Sequence, residues 1–239
     1  YAIPLALVYG FYPKWSLIAA LPYVNVDMTT RTANETRRSN LNGLADLQLL
    51  VQYDGLYSRN TPGGLTRLTG VFGIQTPTGA SRFSTGAFQY TSGLIFEKVV
   101  RLNYVFTSDF EYTVGTENNR GVAVGNSARF DAAPAYFVIS RKRAPTSSSW
   151  IKKSHDRAFR NGAYLILEFN GNWQARMRNL GDEAANSGGT MLSVSPGLQY
   201  FLSRSFLLEF SSPIPVVKAL NGVQPEAKVS FVFGFRVLL

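Results

Sequence analysis

The chain has 239 residues, 24 Lys and Arg against 15 Asp and Glu, one His and no Cys, and its side chains are 45% hydrophobic, 13% aromatic and only 16% charged. The absence of cysteine excludes disulfides, thiol nucleophiles and thiolate-held metals, and a lone His155 excludes a histidine-rich metal site. No run approaches the roughly 18 consecutive apolar residues of a spanning helix, so a helical membrane protein is excluded, although the mean hydropathy of -0.03 would pass for a soluble chain.

Taken in chain order, the residues alternate with period two, the spacing at which strand side chains point to opposite faces. Strands are predicted at about 2–10, 15–27, 43–54, 65–76, 87–98, 101–114, 128–140, 162–175, 190–202, 205–216 and 227–238. In 45–54, Leu47, Leu49, Val51 and Tyr53 oppose Asp46, Gln48, Gln52 and Asp54. In 101–114, Leu102, Tyr104, Phe106, Phe110, Tyr112 and Val114 oppose Arg101, Asn103, Asp109, Glu111 and Thr113. In 163–176, Leu165, Leu167, Phe169 and Trp173 oppose Glu168, Asn170, Asn172, Gln174 and Arg176. At the end of the chain, Val229, Phe231, Phe233, Phe235, Val237 and Leu239 oppose Ser230, Gly234 and Arg236.

Strands this long exceed the roughly five or six residues usual in soluble sheets and match the roughly 9–11 that cross a bilayer. A soluble sandwich or lipocalin-like barrel also alternates. Here, however, the apolar stripe is heavy in Phe, Tyr and Trp near strand ends, as interfacial girdles are, and the other face carries several ionisable groups per strand, as a wet lumen does. The fold class read from this pattern is all-β, a transmembrane antiparallel up-and-down β-barrel forming a single domain over 1–239.

Short connections fall at 12–14, 99–100 and 203–205, and long polar ones at 29–42, 115–127, 177–189 and 217–227. Short periplasmic turns and long extracellular loops are the habit of outer-membrane barrels. Two longer stretches, 55–64 and 141–162, fall on the short-turn side. The second holds Arg141, Lys142, Arg143, Lys152, Lys153, Arg157 and Arg160 against Asp156 alone, about two-thirds of the net charge of +9. It reads as a periplasmic excursion able to dock an acidic periplasmic or envelope protein, or anionic headgroups. Eleven strands is an odd number, and bacterial single-chain barrels carry an even one. Twelve are therefore expected, with ten as the alternative. The chain begins at Tyr1 with neither Met nor a signal, which is read as a processed or truncated form: either it lacks a first strand before Tyr1, or one of these strands is misassigned.

No catalytic residue, metal or cofactor is predicted. Ser154-His155-Asp156 are chain neighbours, whereas a triad needs side chains converging from separate places. The glycines of Thr61-Pro62-Gly63-Gly64, with Gly70 and Gly73, lack the Lys-Ser/Thr of a phosphate loop. Nucleic acid is not an expected partner, because aromatic and basic residues lie on opposite faces and leave no stacking groove. The inward carboxylates Glu97, Asp109, Glu111, Glu168 and Glu209 share the polar face with Arg67, Arg101, Arg129, Arg176 and Arg236. A confined carboxylate needs a partner, so an arginine–carboxylate network is expected to brace the wall. The set predicted to line the lumen and govern selectivity is Arg67, Arg101, Glu111, Arg129, Glu168, Arg176, Glu209 and Arg236. Their signs nearly cancel, so no strong anion preference is expected.

Five stretches stand in order between residues 43 and 222: Gly43-Leu44-Ala45-Asp46-Leu47, Gly73-Ile74-Gln75-Thr76-Pro77-Thr78-Gly79, Leu165-Ile166-Leu167-Glu168-Phe169-Asn170-Gly171, Ser195-Pro196-Gly197-Leu198-Gln199-Tyr200, and Ser212-Pro213-Ile214-Pro215-Val216 with Leu220-Asn221-Gly222. Together they resemble a family of outer-membrane β-barrel transporters associated with the meta-cleavage pathway of phenol degradation. That family usually has Gly at the place of Ala45, and the basic 141–160 stretch is atypical of it. The resemblance implies passive or substrate-selective passage of small, often aromatic, compounds, and carries over no binding residue.

The reading is thus a barrel in the bacterial outer membrane, with outer-membrane lipid and a small-molecule solute as partners. Its lumen would be a narrow charged passage, between the filled interior of about eight strands and the open channel of about sixteen. The rival readings are a plugged barrel anchoring an envelope assembly through 141–160, and an outer-membrane enzyme using His155.

Overall fold

A computed structural model describes residues 1–31, 36–100, 103–139, 162–203, 205–224 and 229–237. Its strands are β1 (Ala2–Tyr12), β2 (Trp15–Arg31), β3 (Thr36–Leu44), β4 (Leu47–Thr61), β5 (Gly64–Thr76), β6 (Gln89–Val100), β7 (Tyr104–Gly115), β8 (Val122–Ala123), β9 (Ser127–Ile139), β10 (Gly162–Gln174), β11 (Arg178–Asn179), β12 (Asp182–Glu183), β13 (Gly189–Phe201), β14 (Phe206–Ser211), β15 (Ile214–Leu220) and β16 (Val232–Val237). The main sheet runs β1-β2-β4-β5-β6-β7-β9-β10-β13-β14-β16, and each of these ladders is antiparallel. β3 pairs with the far half of β2 whose near half pairs with β4, so β3 and β4 form one interrupted strand. In the same way β14 and β15 share β13, broken at Ser212-Pro213, where proline has no N–H to give the ladder. Among the described residues the path therefore has eleven members, matching the eleven alternating stretches of the sequence. Its edges are β1 and β16, and among the described residues no ladder joins them.

The molecule is apolar on the outside. Phe72, Phe110, Phe130, Phe169 and Phe233 are exposed, while the buried hydrophobic side chains among the described residues are only Val71, Ala87, Ala123 and Leu207. A water-soluble fold would hide such a stripe; a lipid-facing wall displays it. Along β6 and β7 the exposed positions fall on one phase, Tyr90, Leu94, Tyr104, Phe106 and Phe110 among them, while Glu97, Asp109 and Glu111 fall on the other. Aromatic pairs mark the wall at the short-turn end, Trp15 with Tyr53 at 4.6 Å and Tyr104 with Tyr136 at 4.9 Å between ring centroids.

Two connections differ from their prediction. Residues 55–64 are not a loop: β4 continues to Thr61 and turns tightly at Pro62-Gly63, where Gly63 takes φ +79°. A bulge between Tyr53 and Tyr57 shifts the register and breaks the alternation, which made the strand look finished at Asp54. Most of 29–42 is strand as well, since β2 and β3 pair out to Arg31 and Thr36. This hairpin is bonded through polar side chains, Asn40 Nδ2 donating to Asn25 Oδ1 at 3.2 Å, and on β3 only Leu41 and Leu44 are apolar, so the returning strand shows little apolar alternation.

The lumen wall as candidate functional site

Two ionic clusters stand on the inner face. In the first, the guanidinium of Arg67 on β5 lies 3.1 Å from Asp54 on β4 and 2.5 Å from Glu97 on β6. Arg67 and Glu97 are direct cross-strand partners, while Asp54 reaches inward from the bulge, where Thr69 Oγ1 also donates to it at 2.7 Å. In the second, Arg129 on β9 binds Glu111 of β7 at 3.0 Å and Asp131 of its own strand at 3.1 Å, with Asp109 at 4.0 Å. Asn170 Nδ2 on β10 donates to Asp131 at 2.7 Å, and the fully buried Ser195 on β13 donates to Asn170 Oδ1 at 2.7 Å. Beyond these, Arg236 on β16 pairs with Glu209 on β14 at 3.0 Å, and Gln199 donates to the same carboxylate at 3.1 Å.

A cavity of about 670 Å³ opens onto this wall between β6 and β13, lined by Glu97, Asp109, Arg129, Asp131, Tyr164, Glu168 and Asn170 among others. At its lower end Tyr164 packs against Phe137 at 4.9 Å and Phe201 at 6.0 Å between centroids. These three rings lie toward the short-turn end, where β9, β13 and β10 begin or finish.

Of the predicted lumen set, Arg67, Glu111, Arg129, Glu168, Glu209 and Arg236 stand on the inner face. Arg176 does not. It lies past the end of β10 and pairs at 3.4 Å with Glu183 on the small hairpin of the next loop, because the strand stops at Gln174. Arg101 lies outside the described residues, as do Arg141, Lys142, Arg143, Lys152, Lys153, Arg157, Arg160 and His155. Asp131, Asn170 and Ser195 were not in the predicted site. Asp131 was legible, two residues from Arg129 in the same phase; the role of Asn170 and Ser195 depends on strand register. With Asp54 and Asp131 added and Arg176 removed, carboxylates outnumber guanidinium groups among the described residues of the wall.

The long-loop end is built as a collar. The 77–88 connection folds back onto the β3–β4 break, where Asp46 accepts from Gly79 N at 2.9 Å, Thr85 N at 3.1 Å and Gln75 Nε2 at 3.2 Å. Gly79 is required there, since a Cβ would stand 2.7 Å from the Ala45 carbonyl carbon. Asn118 Nδ2 donates to Thr85 O at 3.0 Å, β8 pairs with β11, and Asn221 Nδ2 donates to Ser187 O at 3.1 Å, linking one loop to the next. The motif stretches 43–47 and 73–79 therefore form one unit at the rim, and 165–171 with 195–200 form another, the β10–β13 ladder.

An all-antiparallel wall with aromatics outward, ion pairs inward and long connections gathered at one end defines an outer-membrane β-barrel. The chain belongs to the family described as "Putative MetA-pathway of phenol degradation", which matches residues 8–214. Among solved structures it is similar to an outer membrane channel from Pseudomonas putida F1, with a TM-score of 0.70 and 13% identity over 99% of this chain and 82% of that one. No curated protein matches it.

Proposed function

We propose that the protein is a channel of the bacterial outer membrane through which small organic molecules, aromatic ones included, diffuse. The observation that carries this reading is the ion-paired cavity of about 670 Å³ on the inner face of a wall whose outer face is apolar. Charged side chains confined in a lumen set a field that sorts solutes as they pass. The reading is non-enzymatic: the protein transports and does not transform. The family description and the fold of the Pseudomonas channel support the same reading. Single-channel recording of the purified chain in planar bilayers tests it. Discrete openings that small aromatic solutes interrupt are the expected result; an inserted barrel that stays electrically silent would refute the channel.

A further inference from the structure

Across the β7–β9 ladder Asp109 faces Asp131 directly. Like charges at opposed strand positions repel and weaken the sheet, so this pair is an expense in the wall. The neighbouring position of the ladder, Glu111 opposite Arg129, supplies a single guanidinium for Glu111, Asp109 and Asp131 together. Glu168 lines the same cavity, and Asp109 Oδ1 has no hydrogen-bond partner among the described residues. The other end of the cavity is aromatic: Tyr164, steadied by Phe137 and Phe201. A carboxylate belt and an aromatic face bordering one space complement a positively charged organic molecule, its charge toward the belt and its ring or hydrocarbon toward Tyr164.

We propose that this belt is the specificity-determining element of the lumen and favours small organic cations over anions, with Asn170 as its positioning residue. Ser195 orients Asn170, and Asn170 holds Asp131 in place facing Asp109. The repulsion between the two aspartates is relieved when a cation lies between belt and lumen. This inference rests on the channel reading and deepens it.

The test uses the full chain in planar bilayers under a potassium chloride gradient, with benzylammonium and benzoate as probes of matched size. The reversal potential is expected on the potassium side, and benzylammonium should interrupt the current at about tenfold lower concentration than benzoate. D109N and D131N should move the reversal potential toward zero, and D109N should at the same time raise the unfolding temperature, which a merely structural aspartate would not do. N170A should lose selectivity while still conducting; if it fails to insert, the isosteric D109N carries the test. Chloride selectivity, or a reversal potential unmoved in D109N and D131N, overturns the proposal. A barrel that inserts and never conducts overturns the channel reading beneath it, so the two failures are told apart.

Discussion

Asp46 shows how one buried carboxylate ties a loop to the barrel rim. It is only 2% exposed and sits in the break between β3 and β4, beyond the part of the fifteen-residue β4 needed to cross a bilayer. Burial pushes its pKa up, but donation from Ser84, the Gly79 and Thr85 N–H groups and Gln75 outweighs burial and holds it below the usual carboxylate range. A depressed folded pKa contributes stability that is present above the unfolded value and lost as pH falls through the folded one. D46N is therefore expected to cost about 1–3 kcal/mol at neutral pH, with the deficit narrowing in acid. Thermal unfolding by circular dichroism at neutral and acid pH checks this, and a deficit independent of pH would remove the charge from the explanation. The residue was read from sequence as one member of a polar face. Its partner loop, more than thirty positions away at Gly79, could not be read, because nothing in a local window states where a loop will fold back.

At the scale of elements, each strand is a two-sided ribbon whose sides meet different solvents. On β16, Phe233 is 77% exposed on the outer side while Arg236 turns inward to Glu209. With no native cysteine to interfere, F233C should react with a lipid-phase reagent and R236C with an aqueous one. The opposite labelling would invert the facing of the whole wall. Facing was legible from sequence because it follows from the strand repeat alone. Strand ends were legible only where the alternation survived. The bulge at Tyr53–Tyr57 and the largely polar strand β3 erased it, one by inserting unpaired residues and the other by carrying few apolar side chains.

The whole molecule is stable only in a medium that accepts its outer face. Apolar side chains cover the outside and the described buried core is small, so the hydrophobic effect that drives soluble folds would here favour association. The folded chain is expected to remain monodisperse in detergent and to aggregate when detergent is diluted below micelle formation. Light scattering during dilution reports it, and a protein that stays dispersed in plain buffer would contradict the lipid-facing assignment.

The sequence by itself determined the class of fold, the facing of each strand and the identity of most wall charges, because these follow from a two-residue repeat and from the chemistry of each side chain. Only the tertiary structure decided which charges meet. Asp131 and Asn170 are 39 positions apart, Asn170 and Ser195 are 25, and Asp109 meets Asp131 across the β7–β9 ladder, whose register a local window does not state. The stop of β10 before Arg176 removed a cation from the wall, and the bulge brought Asp54 to Arg67. Which charges meet on the described wall is a product of register and strand length, which local alternation does not encode.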